Sequence, residues 1–274
     1  MVLFYNSKRR KALTYAAAIE RRLRAAGAKV CRVCVNDEYC DFKTADAAVA
    51  VGGDGTVLYA ARHVTAKGIP VLGINAGGLG FLSGVEKKEF LGSVDEFLAG
   101  RFHRIKRSLL SVSVRRGKRN LFGPLPAMND CVIRSPESRA FTLLASYGGK
   151  FLAEYFGDGL IVSTPSGSTA YSLAASGPIV MPQLEVVLLS PICPHTLTHR
   201  PIVLPASGDL RVAVKNGRYG PQAVTLSMDG QENFRLEPGD EVVIRRHPRC
   251  FEMLAPQSFS YFDILRRKLS WGER

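Results

Sequence analysis

Ala47-Ala48-Val49-Ala50-Val51-Gly52-Gly53-Asp54-Gly55-Thr56 decides the fold. An apolar run of strand length ends in two glycines, a carboxylate and a third glycine, and a helix-like segment follows from Val57 to Val64. That order puts Asp54 at the carboxyl end of a strand, where open α/β sheets collect their ligands. The glycines let backbone approach a ligand closely, and the amides opening the next helix present partial positive charge to a phosphate. Asp54 adds a base or a magnesium ligand. Taken alone, the five residues 52–56 also read as a tight turn with Asp54 as a helix cap.

Working outward, strand and helix signals alternate through the first hundred residues. Strands are expected at 2–5, 29–35, 47–51 and 70–74, and helices at 9–26 (ended by Gly27), 57–66 and 87–99 (ended by Gly100). This is the pattern of an open, mostly parallel α/β sheet. From about Phe102 short alternating runs take over, at 109–114, 130–133, 141–147, 150–155, 160–163, 186–190, 210–214, 223–227 and 241–245. Their spacing predicts a β-rich, sandwich-like domain with one helical insertion over 168–176. The last segment, 259–269, reads as a helix with Tyr261, Phe262, Leu265 and Leu269 on one face, returning to the first domain. The expected limits are 1–103 for the α/β domain, 104–255 for the β-rich domain and 256–274 for the C-terminal helical segment.

The 274 residues are 46% hydrophobic and 22% charged, enough for a sizeable core. No apolar run approaches the ~20 residues of a membrane helix. The apolar Met1–Tyr5 precedes the basic 8–11, the reverse of a signal peptide, so a cytoplasmic protein without membrane partners is expected. Net charge is +13, but the Lys and Arg clusters at 8–11, 21–24, 115–119, 245–249 and 266–268 lack interleaved aromatics. They read as solvated faces, and no nucleic acid is expected as a partner. Six cysteines without a leader imply reduced thiols. Cys31 and Cys34 share a predicted strand, where an offset of three points them to opposite faces. Even with Cys40 nearby no fourth ligand is evident, so packing is favoured over zinc.

Three further segments carry chemistry. Gly73–Phe81, with Asn75 and four glycines, leaves backbone bare, and Phe81 offers an apolar wall to a base. Asn129-Asp130 sets an amide beside a carboxylate at a strand entrance, suited to ribose hydroxyls or an adenine edge. Gly157–Ser172 crowds hydroxyls, Ser166 among them, around Gly167 at a predicted helix start, without a Walker lysine. His195 and His199 are four apart, but Pro194 and Pro201 flank them and no acidic partner is placed, so hydrogen bonding or a nucleotide contact is favoured over metal.

Together these segments resemble the NAD kinase (ATP-NAD kinase) family through nearly the whole chain. Gly-Gly-Asp-Gly-Thr at 52–56 is shared with diacylglycerol, sphingosine and phosphofructokinase relatives. Asn75–Phe81, Asn129-Asp130, Asp158–Ser172, Pro194–Pro201, Asp229-Gly230-Gln231 and Leu265–Trp271 make the resemblance more specific. It implies an α/β and a β-rich domain sharing a cleft, a homodimer or homotetramer, and ATP-dependent phosphorylation of the adenosine ribose 2′-hydroxyl of NAD. ATP, or polyphosphate as donor, would come with Mg²⁺ or another divalent cation.

By the same resemblance Asp54 is the proton acceptor, and Leu58 and Phe81 border the adenosine. Gly53, Gly55, Thr56, Asn75, Asn129, Asp130, Arg139, Phe156, Asp158, Ser166, Thr169, Ala170, Tyr171, Ser172, Leu173, Ala174 and Gln231 contact nucleotide. The chain departs from the family pattern at Asp130, where Glu is common, at Phe156, basic in some relatives, and at Ala174, where a hydroxyl is common. The alternatives are a lipid kinase using the same glycine turn and a non-catalytic dinucleotide sensor.

Overall fold

The strand Ala48–Gly52 is buried along its whole length. The computed structural model describes residues 1–35, 42, 44–137, 139–215 and 223–272, and sets this strand inside a seven-stranded sheet. The order is Cys31–Cys34, Val2–Tyr5, Ala48–Gly52, Val71–Asn75, Phe251–Ala255, His103–Arg107, with Val85–Glu86 also pairing on Val71–Asn75. From Cys31–Cys34 to Phe251–Ala255 the pairings are parallel. Strands covered on both faces become near-continuous apolar runs, which is why Ala48–Val51 and Val71–Ile74 alternate so little. The helix Arg10–Ala25 buries Ala12, Ala16, Ile19 and Leu23 as one stripe, and Leu3, Val49, Leu72 and Phe90 complete the core around it.

This unit comprises Met1–Lys106 and Phe251–Arg274, while Arg107–Cys250 forms the second. The strand Phe251–Ala255 therefore does not belong with the β-rich domain, as the expected limit at 255 has it: Met253 and Leu254 pair with Val71 and Leu72. The expected limit at 103 falls inside the strand His103–Arg107.

Other departures are local. The helix after the glycine turn runs Asp54–Val64, so Asp54 is already helical. The predicted helix 87–99 is two, Lys87–Gly92 and Val94–Leu98. Ser93 breaks it, donating its hydroxyl to the carbonyls of Glu89 at 2.9 Å and Phe90 at 3.3 Å in competition with the helical ladder. The C-terminal helix Tyr261–Leu269 is capped by Ser260, whose hydroxyl accepts the Asp263 N–H at 3.3 Å. It packs on this unit through Ile264 and Leu265, with Ile264 against Gly84, whereas Phe262 is 47% exposed and lies off the buried face.

The second unit is two six-stranded antiparallel sheets. One runs Lys150–Gly157, Phe141–Tyr147, Leu210–Val214, Glu241–Arg246, Leu110–Arg116, Arg119–Ala127. The other runs Ile202–Pro205, Val186–Ile192, Gly159–Ser163, Asp130–Arg134, Val224–Met228, Glu232–Leu236. A single core draws on both, from Val112, Leu143, Val212 and Ile244 on one side to Ile133, Leu160, Val162 and Leu226 on the other. Inward and outward residues alternate along Leu110–Val114 and Leu210–Val214, as expected for a sandwich. The helical insertion is shorter than predicted: a 3₁₀ turn Ser166–Thr169 and one α turn Tyr171–Ala174.

Candidate functional site

In the first unit the chemistry gathers on Asp54. Gly53, extended, caps the helix that Asp54 begins, so the carboxylate stands beside a helix N-terminus, favourable for negative charge. Its Oδ1 accepts the backbone N–H groups of Leu82 and Ser83 and the Ser83 hydroxyl, each at 3.0 Å. Its Oδ2 accepts the Phe81 N–H at 3.0 Å, and Lys268 Nζ lies 3.6 Å from the same oxygen. The carboxylate thus folds the loop after Val71–Asn75 onto itself. A Cβ on Gly80 would stand 1.9 Å from Oδ1 and 2.4 Å from the Ser83 hydroxyl, so only glycine lets the loop close over this oxygen. Asp54 keeps 26% of its side chain exposed, and Oδ2 holds the less crowded lone pairs.

The other predicted residues of this unit divide in two. Gly55 is exposed and Gly53 half-buried at the turn, and Asn75 accepts the Gly77 N–H at 2.7 Å, which tightens the glycine loop. Thr56, Leu58 and Phe81 are buried. The Phe81 ring lies 5.9 Å from that of Tyr261, with Lys268 Nζ 4.6 Å from its centroid, so it forms a floor rather than an open wall. A larger cavity of about 570 Å³, lined by Met1, Lys29, Ala47, Pro70 and Phe102, lies at the opposite, amino ends of the strands.

In the second unit a cavity of about 360 Å³ is lined by Asn129, Asp130, Ala170 and Tyr171, all predicted, and by Arg134 and Asp229, which were not. Asp229, left-handed at φ 50°, reaches back about a hundred residues. Its Oδ2 accepts the Met128 N–H at 2.8 Å, and its Oδ1 accepts those of Asn129 at 2.7 Å and Asp130 at 3.1 Å. The Asp-Gly pair after an apolar run signals a hairpin turn in sequence. That its carboxylate organises Asn129-Asp130 is a long-range fact that no local pattern carries.

Asp130 is 6% exposed, and burial, reinforced by the negative charge of Asp229, pushes its carboxyl up to about 7. It can therefore accept a hydrogen bond from a sugar hydroxyl or, protonated, donate one. From the other side Thr164 donates its N–H to the Asn129 carbonyl at 2.8 Å, and a Cβ on Gly167 would meet that carbonyl oxygen at 2.0 Å.

The hydroxyls of the 166–172 segment mostly turn inward. Ser168 donates to the Pro165 carbonyl at 2.7 Å, and Ser172, wholly buried, pairs with Ser190 at 2.8 Å, so its side chain is not open to a ligand. Ser166 Oγ is buried and has no hydrogen-bond partner among the described residues. Thr169 donates back to the Ser166 carbonyl at 3.3 Å. Tyr171 and Ala174 are exposed, Ala170 and Leu173 half-buried. Arg139, Phe156 and Asp158 are exposed outside the lining of this cavity. Gln231 follows the Asp229-Gly230 turn, its N–H on the Met228 carbonyl at 2.9 Å.

His195 and His199 pack on neighbouring strand residues, on Phe156 at 4.8 Å and Tyr155 at 5.0 Å between ring centroids. Cys31 is exposed and Cys34 buried, Cys34 donating to the Ser7 hydroxyl at 3.1 Å; Cys40 lies outside the described residues. Among the described residues no three His, Cys, Asp or Glu gather as a metal cluster, and no helix is long and apolar enough to cross a membrane.

Comparison with known proteins bears on both units. Residues 38–102 match the ATP-NAD kinase N-terminal domain and residues 128–255 the ATP-NAD kinase C-terminal domain. An NAD kinase of Thiobacillus denitrificans is 41% identical over 270 residues, 94% of this chain and 91% of that one. One of Geobacter sulfurreducens is 43% identical over 231 residues, 84% of this chain and 80% of that one. Among solved structures, yeast NADH kinase complexed with NADH superposes with a TM-score of 0.88 at 25% identity, covering 100% of this chain and 88% of that one. An NAD kinase from Archaeoglobus fulgidus in complex with ATP shares the fold, with a TM-score of 0.78 at 22% identity over 98% of this chain and 96% of that one. With both domain families matched in order and close relatives aligned nearly end to end, the chain belongs to the ATP-NAD kinase family.

Proposed function

We propose that the protein is an NAD kinase, transferring the γ-phosphoryl group of ATP to the 2′-hydroxyl of the adenosine ribose of NAD, with Asp54 Oδ2 as proton acceptor. The observation that carries this reading is the carboxylate of Asp54, fixed at a strand's carboxyl end with one oxygen saturated by three donors and the other still partly open. Phosphoryl transfer asks little covalent work of the protein: it needs an aligned nucleophile and neutralised phosphate charge. A carboxylate is a far weaker base than an alkoxide, so the proton passes late, as the new O–P bond forms. Within this reading Asn129 and Asp130 hold dinucleotide hydroxyls or the adenine edge. The turn 169–174, exposed at Tyr171 and Ala174, supplies further contacts with Asp158 and Gln231.

Magnesium or another divalent cation would enter with the triphosphate. Mg²⁺ is commonly held by substrate phosphates and one or two carboxylates, and Asp54 offers one without an all-protein cage. When bound it neutralises phosphate charge. A cytoplasmic homodimer or homotetramer completes the proposal. The lipid-kinase alternative finds no support, since both matched domains are those of ATP-NAD kinases.

The test is incubation of the purified chain with NAD, ATP and Mg²⁺ and detection of NADP, with NADH, polyphosphate and a diacylglycerol in parallel arms. Asp54→Asn is expected to lower kcat by roughly 10²–10⁴-fold while NAD binding stays measurable by calorimetry. Near-normal turnover in that variant would remove Asp54 from its role. Binding without any NADP from the wild-type chain would leave a dinucleotide sensor.

A further inference from the structure

The C-terminal helix presents Tyr261, Ile264, Leu265 and Lys268 at spacings of three, four and seven, one face of a helix. Ile264 and Leu265 are buried and dock the helix. Lys268 continues the same stripe, whereas its neighbours turn outward: Arg266 pairs with Asp263 and Arg267 with Glu86. A lysine on an apolar stripe lays its stem along the face and delivers its ammonium at the end. Here that end is Asp54: Nζ stands 3.6 Å from Oδ2 and 4.6 Å from the centroid of Phe81, whose own N–H is on Oδ2.

The geometry is that of an ammonium held by charge and by a ring face, with no direct hydrogen bond to the carboxylate. At 3.6 Å its three N–H donors are not spent on Asp54, and a lysine stem moves readily. The pair is partly exposed, with 32% of the Lys268 and 26% of the Asp54 side chain accessible, so it adds little to stability. Helix docking rests on Ile264 and Leu265 instead. What the lysine supplies is a movable positive charge beside the one carboxylate oxygen left for a hydroxyl.

We infer that Lys268 is a further functional residue of the phosphoryl-transfer centre: its ammonium balances Asp54 in the free protein and turns to the oxygens of the transferring phosphoryl group when donor and acceptor are in place. This rests on the reading of Asp54 as proton acceptor. The ribose O–H bond breaks as the O–P bond forms, and the proton passes to Asp54 Oδ2. The bond from the γ-phosphorus to the β,γ-bridging oxygen breaks, its electron pair leaving with ADP. Lys268 gives and takes no proton. Once Asp54 is neutral its hold on the ammonium ends, while negative charge is concentrated on the phosphates, where a preplaced cation stabilises the transition state.

The experiment compares Lys268→Met and Lys268→Arg with the wild-type chain by steady-state NADP formation, NAD calorimetry and thermal unfolding. Lys268→Met is expected to lose ~30–300-fold in kcat with NAD affinity and melting temperature nearly unchanged, and Lys268→Arg to recover a good part of the loss because charge is restored. Should Lys268→Met not fold, Lys268→Gln carries the same expectation. A kcat for the neutral variant within about 3-fold of wild type, an arginine no better than methionine, or a loss matched by weakened NAD binding would each overturn the assignment. If the wild-type chain itself makes no NADP, the reading of Asp54 fails instead, and the two failures are distinguishable.

Discussion

Two aspartates show how environment separates the tasks of one residue type. Asp54 meets four donors and an ammonium. Asp130 faces burial and the charge of Asp229, which push its carboxyl up to about 7. A solvated aspartate titrates near ~3.9, so between about pH 4 and pH 7 the folded chain keeps a proton on Asp130 that the unfolded chain has released. With fewer protons on the unfolded state, this group makes stability fall as pH rises through that window and level off above it. Asp130→Asn cannot ionise. Its stability relative to wild type should therefore rise between pH 5 and pH 8, by on the order of 2 kcal/mol. Urea unfolding at the two pH values checks this, and parallel pH dependence in both proteins would clear Asp130 as the source.

Among elements, the loop 75–83 is tightly constrained, because three of its amides and one hydroxyl converge on a single carboxylate. Gly80→Ala places a methyl where Asp54 Oδ1 already lies, 1.9 Å away. Carboxylate and loop must part, and displacements near 1 Å at a reacting group cost about 10²-fold. The expected outcome is a kcat lowered by about that factor with an unchanged circular dichroism spectrum. Activity within 3-fold of wild type would show that the loop need not close on Asp54.

Elements also mark where sequence stops being informative. Central strands such as Ala48–Gly52, Val71–Asn75 and Gly159–Ser163 are buried and read directly as apolar runs. Besides the two-residue Val85–Glu86 and the interior Phe251–Ala255, the unpredicted strands Arg119–Ala127, Ile202–Pro205, Glu232–Leu236 and His103–Arg107 are sheet edges. Half their residues meet solvent, so alternation is weak, and Pro124 and Pro126 disguise the first, though an edge tolerates proline. The site follows the same division. Asp54, Asn129 and Asp130 stand in local motifs. Asp229 and Lys268 act across some hundred and two hundred residues of chain, through contacts that only the fold creates.

At the scale of the whole molecule, the first unit is discontinuous, built from Met1–Lys106 and Phe251–Arg274. A chain ended after Cys250 would leave one flank of Val71–Asn75 without Phe251–Ala255 and Asp54 without Lys268. Such a truncation is expected to retain NAD-kinase activity at less than about a hundredth of wild type and to melt in a first, lower transition belonging to this unit. A single transition at the wild-type temperature would show the returning segment to be dispensable. The arrangement has a bearing on biosynthesis. On the ribosome Ala48–Gly52 is made some two hundred residues before Phe251–Ala255, so a nascent chain stalled between the two holds its first sheet unfinished and Asp54 without its ammonium neighbour.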